Sequence, residues 1–240
     1  MKTNKINVVQ LVIFTALVYT ATIVIQIYQA ATGGYFNLGE SMIYLAALVS
    51  TPLVAGVAGG VGAALADYTT GYAIFAPGTL IIKFAEGYLA GLLIRRMRGR
   101  WAGALSSVVG ALYALLFTYI FYSVEAIDIS TPVSHISTLN VTLPLWVAVS
   151  LVVGGGVFYV LHRKITSFGE VISLLLSGSA MVIGYFLYEF FISNPLLLNR
   201  DPWLAVFEIP VNIGQVIVGT SIALPVYGWL KKAGFVDHNQ

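Results

Sequence analysis

Cysteine is absent from this 240-residue chain, which excludes disulfides, thiolate metal sites and cysteine nucleophiles together. Charge is nearly as scarce: Asp, Glu, Lys and Arg make up 9% of the residues, where soluble domains carry about 25%. The net charge of +2 is too small and too scattered for a nucleic-acid surface. His135, His162 and His238 stand far apart and form no HExxH pattern, so no metal site is expected. There is no GxxxxGK[ST] phosphate loop, no GxSxG elbow and no DxxD-like carboxylate pair. Neither ATP hydrolysis by that route nor an intramembrane enzyme has much to stand on, and no catalytic residue or cofactor is assigned.

What is present is apolar. Hydrophobic residues reach 58% and the mean hydropathy is +0.89, the composition of an integral membrane protein. A span needs about 20 apolar residues as a helix. Residues 8–29, 101–122, 143–161, 171–191 and 207–230 supply or approach that, as does the run ending at Leu93 if it starts near Pro77. The first follows a short basic start and is too long for the apolar region of a cleaved signal peptide, so it reads as a retained helix. Residues 38–66 are too long for one crossing and short for two, with Pro52 in the middle to break a helix.

Basic clusters decide the count. Lys2 and Lys5, the RRMRGR string from Arg95, Arg163 with Lys164, and Lys231 with Lys232 all belong on the cytoplasmic side. An even number of crossings must then separate successive clusters. Residues 38–66 therefore form two short helices turning at Pro52. The expectation is an all-α polytopic bundle of about eight membrane helices in a single domain, with both termini cytoplasmic, in the cell membrane.

Within the run GYAIFAPGTLIIKFAEGYLAGLL, Lys83 and Glu86 stand three residues apart and leave the same face of a helix. A charge at the bilayer centre costs about 2.5–3.5 kcal/mol on insertion scales. Two readings stay open: an ion pair that locks helices together, or a polar site for a ligand. The segment AGVAGGVGAALA places Ala55, Gly59 and Ala63, and likewise Gly56, Gly60 and Ala64, four apart. Such stripes let membrane helices approach closely, and internal packing is the favoured reading here. Ala16 and Thr20 give the first helix a weaker version, equally consistent with packing or with docking another subunit.

Polar and aromatic residues gather at the connections assigned outside. ATGGYFNLGE presents Tyr35, Phe36 and Asn37; DYTTGYAIFAPG holds Asp67, Tyr68, Tyr72 and Phe75; GYFLYEFF holds Tyr185, Tyr188 and Glu189; FEIPVNIGQ holds Glu208, Asn212 and Gln215. Each alone suits an interfacial aromatic belt or a helix–helix hydrogen bond. Converged, they would line a cavity for a flat polar heterocycle, with rings to stack and amides to read its edges.

In order along the chain, GGYFNLGES, GVAGGVGAALAD, GYAIFAPGTLIIKFAEGYLAGLL, MVIGYFLYEF and EIPVNIGQVIVGTSIALP resemble the substrate-binding S components of energy-coupling-factor (ECF) vitamin transporters, closest to the riboflavin-type branch. The resemblance covers residues 8–98 and 171–232 and implies a six-helix core that captures a vitamin or its precursor at the extracellular end. It implies partners as well: a transmembrane coupling subunit and cytoplasmic ATPases. The binding positions it implies are Tyr35, Asn37, Tyr72, Phe75, Lys83, Glu86, Tyr185, Glu189, Asn212 and Gln215, and the docking positions Ala16 and Thr20. Residues 101–166 then read as an inserted helical hairpin packed outside that core. The ligand stays open between riboflavin and a pyrimidine precursor of thiamine. The alternative is a self-sufficient secondary transporter with Lys83, Glu86 and Glu189 as a proton relay; the absence of evident duplicated halves weakens it.

Overall fold

Asn7 opens the first helix: its side-chain oxygen accepts from the backbone N–H groups of Val9 and Gln10, satisfying donors that a helix start leaves unpaired. The computed structural model describes residues 7–29, 32–97 and 168–236. Helix α1 (Val8–Val24) is followed by two short strands, β1 (Ile27–Tyr28) and β2 (Tyr35–Phe36), then α2 (Gly39–Val49), α3 (Pro52–Thr69) and α4 (Ala76–Arg96). After the gap come α5 (Phe168–Tyr188) and α6 (Glu208–Lys232). Six α-helices are thus present among the described residues. The hairpin expected at 101–166, and with it the total of eight crossings, lies outside them.

The first helix is shorter than its apolar run. It stops at Val24, and residues 27–36 pair as an antiparallel hairpin with Tyr28 opposite Tyr35. The β-branched run Thr22-Ile23-Val24-Ile25 weakens helix and favours extended chain. Gly33, at φ +80, supplies the left-handed turn that most side chains resist.

Pro52 does what its position requires. It is the first residue of α3, and Thr51 caps that helix by accepting from Val54 N, so the missing proline N–H removes nothing. Helix α2 has 11 residues, about 16 Å at the usual rise, roughly half a hydrocarbon core. It is buried along most of its circumference, as a helix apolar on all sides must be. Its inner end is fixed by Arg95, whose guanidinium donates to the backbone oxygen of Ser50. Its outer end therefore lies near the middle of the bundle, and the chain from Tyr35 to Leu38 descends into the outer half. Irregular backbone is tolerated at that depth only where it lines a cavity or is buried in protein.

Among the described residues, three helical stretches are long and apolar enough to cross a membrane: Ala76–Arg96, Gly169–Leu197 and Pro202–Lys232. The second continues α5 as a π-helical segment, Glu189–Leu197, which carries Pro195; proline's missing N–H disrupts the regular ladder. The third enters α6 through a 3-10 turn, Pro202–Phe207.

The small-residue stripes pack internally. A Cβ at Gly56 would lie 3.0 Å from Phe84 O, and one at Gly60 would lie 3.0 Å from Phe84 Cβ. On the facing side, one at Gly87 would lie 2.7 Å from the carbonyl carbon of Ala55. The α3 and α4 backbones are in direct contact, as small residues permit. Gly62 makes the same approach to α1, 2.9 Å from Val18 Cβ.

Candidate functional site

Lys83, on the second turn of α4, is buried and reaches two carboxylates. It pairs with Glu40, at the start of α2, and with Glu86 at 3.2 Å. Glu86 also accepts from the Tyr44 hydroxyl at 2.7 Å. Neither glutamate exposes any surface. The lysine ammonium lies 5.4 Å from the centroid of the Tyr185 ring, within cation–π range. The two readings of Lys83 and Glu86 therefore meet in one place: the pair ties α2 to α4, and Lys83 also forms part of a cavity wall.

That cavity opens at the end of the bundle holding the β-hairpin and encloses about 400 Å³, its mouth included. Its lining comes from α1 (Thr22), the hairpin and its descending tail (Gly34, Tyr35, Asn37), α3 (Ala63, Asp67), α4 with its approach (Phe75, Thr79, Lys83), the α5 end (Tyr185, Glu189) and α6 (Glu208, Asn212, Gln215). Arg95, Arg96, Lys231 and Lys232 are at the opposite ends of α4 and α6. Two of the expected positions are not in the wall. Glu86 lies beneath it, on the far side of Lys83, while Tyr72 packs against Tyr35 with ring centroids 4.3 Å apart and planes tilted by 39°. Ala16 and Thr20 are on the exposed face of α1.

Amides organise one side. Gln215 Oε1 accepts from the backbone N–H of Asn37 at 2.8 Å, and its Nε2 donates to Asn212 Oδ1 at 2.9 Å. Asn37 Oδ1 in turn accepts from the backbone N–H of Gly39, the first residue of α2. The descending loop thus finds its hydrogen bonds on α6 and in its own side chain. Carboxylates organise the other side. Tyr35 donates to Asp67, Thr32 donates to Glu208, and the Tyr185 hydroxyl donates to Thr79 at 3.0 Å. A Cβ at Gly34 would come within 2.8 Å of Glu208 Oε1, so a side chain there would have to displace the Glu208 carboxylate. Burial pushes the Tyr35 phenol upward, with the Asp67 carboxylate adding to it; burial likewise raises Tyr72. Both therefore remain protonated donors at neutral pH.

Some buried polar atoms in the wall have no hydrogen-bond partner among the described residues: Glu189 Oε2, Asp67 Oδ2 and Asn212 Nδ2. Buried polar groups are normally satisfied, and leaving one unpaired costs about 1–3 kcal/mol. A ligand or water in the cavity would supply what they lack.

Asp67 and Glu208 were visible in the sequence as polar groups of the outer end but not assigned to the site; the α3 bundle contact and the hairpin turn bring them in. Glu40 gave no signal of its own. An acid in the first turn of a helix is what the helix dipole favours anyway, and only the packing of α2 against α4 reveals its partner. One consequence can be measured. Tyr35→Phe removes the Asp67 donor and is expected to cost about 1–3 kcal/mol, read as a lower thermal midpoint, whereas Tyr68→Phe, on an exposed side chain, is expected to leave it unchanged.

Residues 2–166 match the family described as ECF-type riboflavin transporter, S component. The match runs through 101–166 and ends before α5, so the wall contributed by α5 and α6 lies beyond it. The chain is also similar to a Pyrococcus woesei protein described as an uncharacterized protein in gap 3′ region: the two are 32% identical over 152 residues, covering 62% of this chain and 96% of the relative. Sequence match and apolar helices agree on a multi-pass membrane protein that serves as a substrate-binding transporter subunit, in a family that is not one of enzymes. The chain belongs to the S components of ECF-type riboflavin transporters.

Proposed function

We propose that the cavity captures a vitamin or vitamin precursor, a flat heterocycle, at the extracellular face of the cell membrane, and that the chain delivers it inward with a transmembrane coupling subunit and cytoplasmic ATPases. The observation that carries this is the closed ring of unlike groups at one end of the bundle. Three aromatic side chains, an amide chain and buried carboxylates from separate helices face one space, and several of their polar atoms await partners. Tyr35, Asn37, Phe75, Lys83, Tyr185, Glu189, Asn212 and Gln215 would contact the ligand, with Tyr72 packed against Tyr35 and Glu86 holding Lys83 in place. The basic residues at the other end of α4 and α6 support an orientation with both termini in the cytoplasm. The exposed face of α1 at Ala16 and Thr20, flanked by Val12, Ile13 and Leu17, would be the docking surface for the coupling subunit.

Purified protein should bind a vitamin-like heterocycle with no ion gradient imposed, and native mass spectrometry of the protein as isolated should show a retained small molecule. Asn212→Leu is expected to weaken binding by about 1–3 kcal/mol. The accompanying loss of stability should be smaller, because among the described residues Asn212 Nδ2 has no partner to lose and its Oδ1 loses the bond from Gln215. Binding that appears only under a proton or sodium gradient would favour the self-sufficient transporter instead.

A further inference from the structure

Helix α2 is tied to α4 by polar groups along one face. Glu40, Tyr44 and Ala47 stand at i, i+4 and i+7 and so share that face. Glu40 pairs with Lys83, and the Tyr44 hydroxyl donates to Glu86 at 2.7 Å. The carbonyls of Ala47 and Ser50 accept from Arg95, whose guanidinium also donates to Gly91 O on its own helix at 2.6 Å. Lys83 and Arg95 lie about 18 Å apart along α4 at the usual rise, so the ties run from the cavity wall to the basic end of the bundle. Glu40 is the one charged residue of α2. At 11 residues, α2 is too short to be stable alone, and its position is set from outside. The ties to α4 do this together with close packing on α6, where a Cβ at Gly219 would lie 2.5 Å from Glu40 Cβ.

A helix of about three turns moves as a rod, and the outer end of α2 leads directly into the cavity wall. The Gly39 N–H donates to Asn37 Oδ1 at 2.8 Å, the Asn37 N–H donates to Gln215 Oε1, and Glu40 fixes the place of Lys83. Arg95 is exposed at the far end and is not part of the wall. We propose that Arg95 is a positioning residue for ligand binding: by holding the inner end of α2 against α4, it keeps Asn37 and Lys83 in register with the rest of the cavity. This rests on the capture function proposed above and adds a link between the basic end of the bundle and the ligand. Such a link is reciprocal. Ligand in the cavity steadies the inner end of α2, and whatever draws Arg95 away from that end loosens the ligand.

Riboflavin is the probe, titrated by flavin fluorescence against the full-length protein in detergent, with amide hydrogen exchange across Gly39–Val49 read in parallel. Arg95→Met should weaken riboflavin binding about tenfold, in the usual range for coupled sites, while Arg96→Met, at the next position, leaves it unchanged. In the parent, riboflavin should slow exchange along the whole of α2, its inner end included. In Arg95→Met, exchange should rise along the whole helix and respond less to riboflavin. Arg95→Lys keeps the charge but not the guanidinium fork; it should fall between the two and keeps the test decisive if Arg95→Met does not fold. Faster exchange confined to the last turn of α2, with riboflavin affinity intact, would overturn the proposal and leave Arg95 a helix cap. If the parent binds no riboflavin and retains no molecule as isolated, capture falls. Exchange that still rises at the outer end of α2 in Arg95→Met would then leave the link standing, and exchange unchanged there would remove both.

Discussion

A Lys83→Met variant is expected to lose about 3–5 kcal/mol of stability, the usual consequence of removing one partner from a buried ion pair. The loss comes less from the missing lysine than from what stays behind. Glu40 and Glu86 are fully buried, and without the ammonium they face each other across the α2–α4 contact, with the Tyr44 hydroxyl on Glu86 the remaining side-chain donor among the described residues. Thermal unfolding in detergent should show a much lower midpoint. The combined variant Lys83→Met, Glu40→Gln, Glu86→Gln should recover most of the loss, because replacing a whole buried ionic cluster is often close to neutral. If the single variant is as stable as the parent, the cluster is not holding these helices together. If the combined variant is stable yet no longer binds ligand, Lys83 acts in the cavity as well as beneath it.

Gly60→Val should be comparably damaging for a different reason. The added Cβ would lie 2.5 Å from the Leu80 carbonyl oxygen and 3.0 Å from Phe84 Cβ, so α3 must move away from α4 before any branch is accommodated. Overpacking of a well-filled interior costs about 1–3 kcal/mol and at times more; here backbone rather than a flexible side chain stands in the way, which places the effect at the upper end. Moving α4 also displaces Lys83 and Thr79, so ligand binding should fall together with stability. Gly71→Ala makes the comparison. Gly71 has φ +94, and a Cβ added there would meet nothing within 4 Å. Its replacement should show only the backbone strain of a left-handed residue, about 1 kcal/mol. Equal effects at the two glycines would argue against close α3–α4 packing.

Hydropathy and the basic clusters made the helical bundle legible, and Pro52 between Thr51 and Leu53 marked the break between two short helices. Both are local properties: apolar length and a missing N–H act the same way wherever the chain goes. The end of α1 was harder, because Ile25 and Ile27 carry the apolar run past Val24 and only pairing with Tyr35 and Phe36 turns Ile27 and Tyr28 into strand. The acids were harder still. Lys83 with Glu86 is visible as a helical spacing, but Glu40 is 43 residues from Lys83 and Thr32 is 176 from Glu208, and no periodicity encodes such separations.

Composition and charge placement by themselves determined that this is a multi-helix membrane protein, which of its ends is basic and which is polar and aromatic. Tertiary structure alone decided that the polar end closes around one chamber, that Lys83 is consumed by two glutamates, and that Asp67, Glu189 and Glu208 are left facing the interior. The reason is physical. Transfer from water depends on each residue's own chemistry and can be read one position at a time, whereas the balance of charge in a cavity depends on which distant side chains the packing of small residues brings within reach.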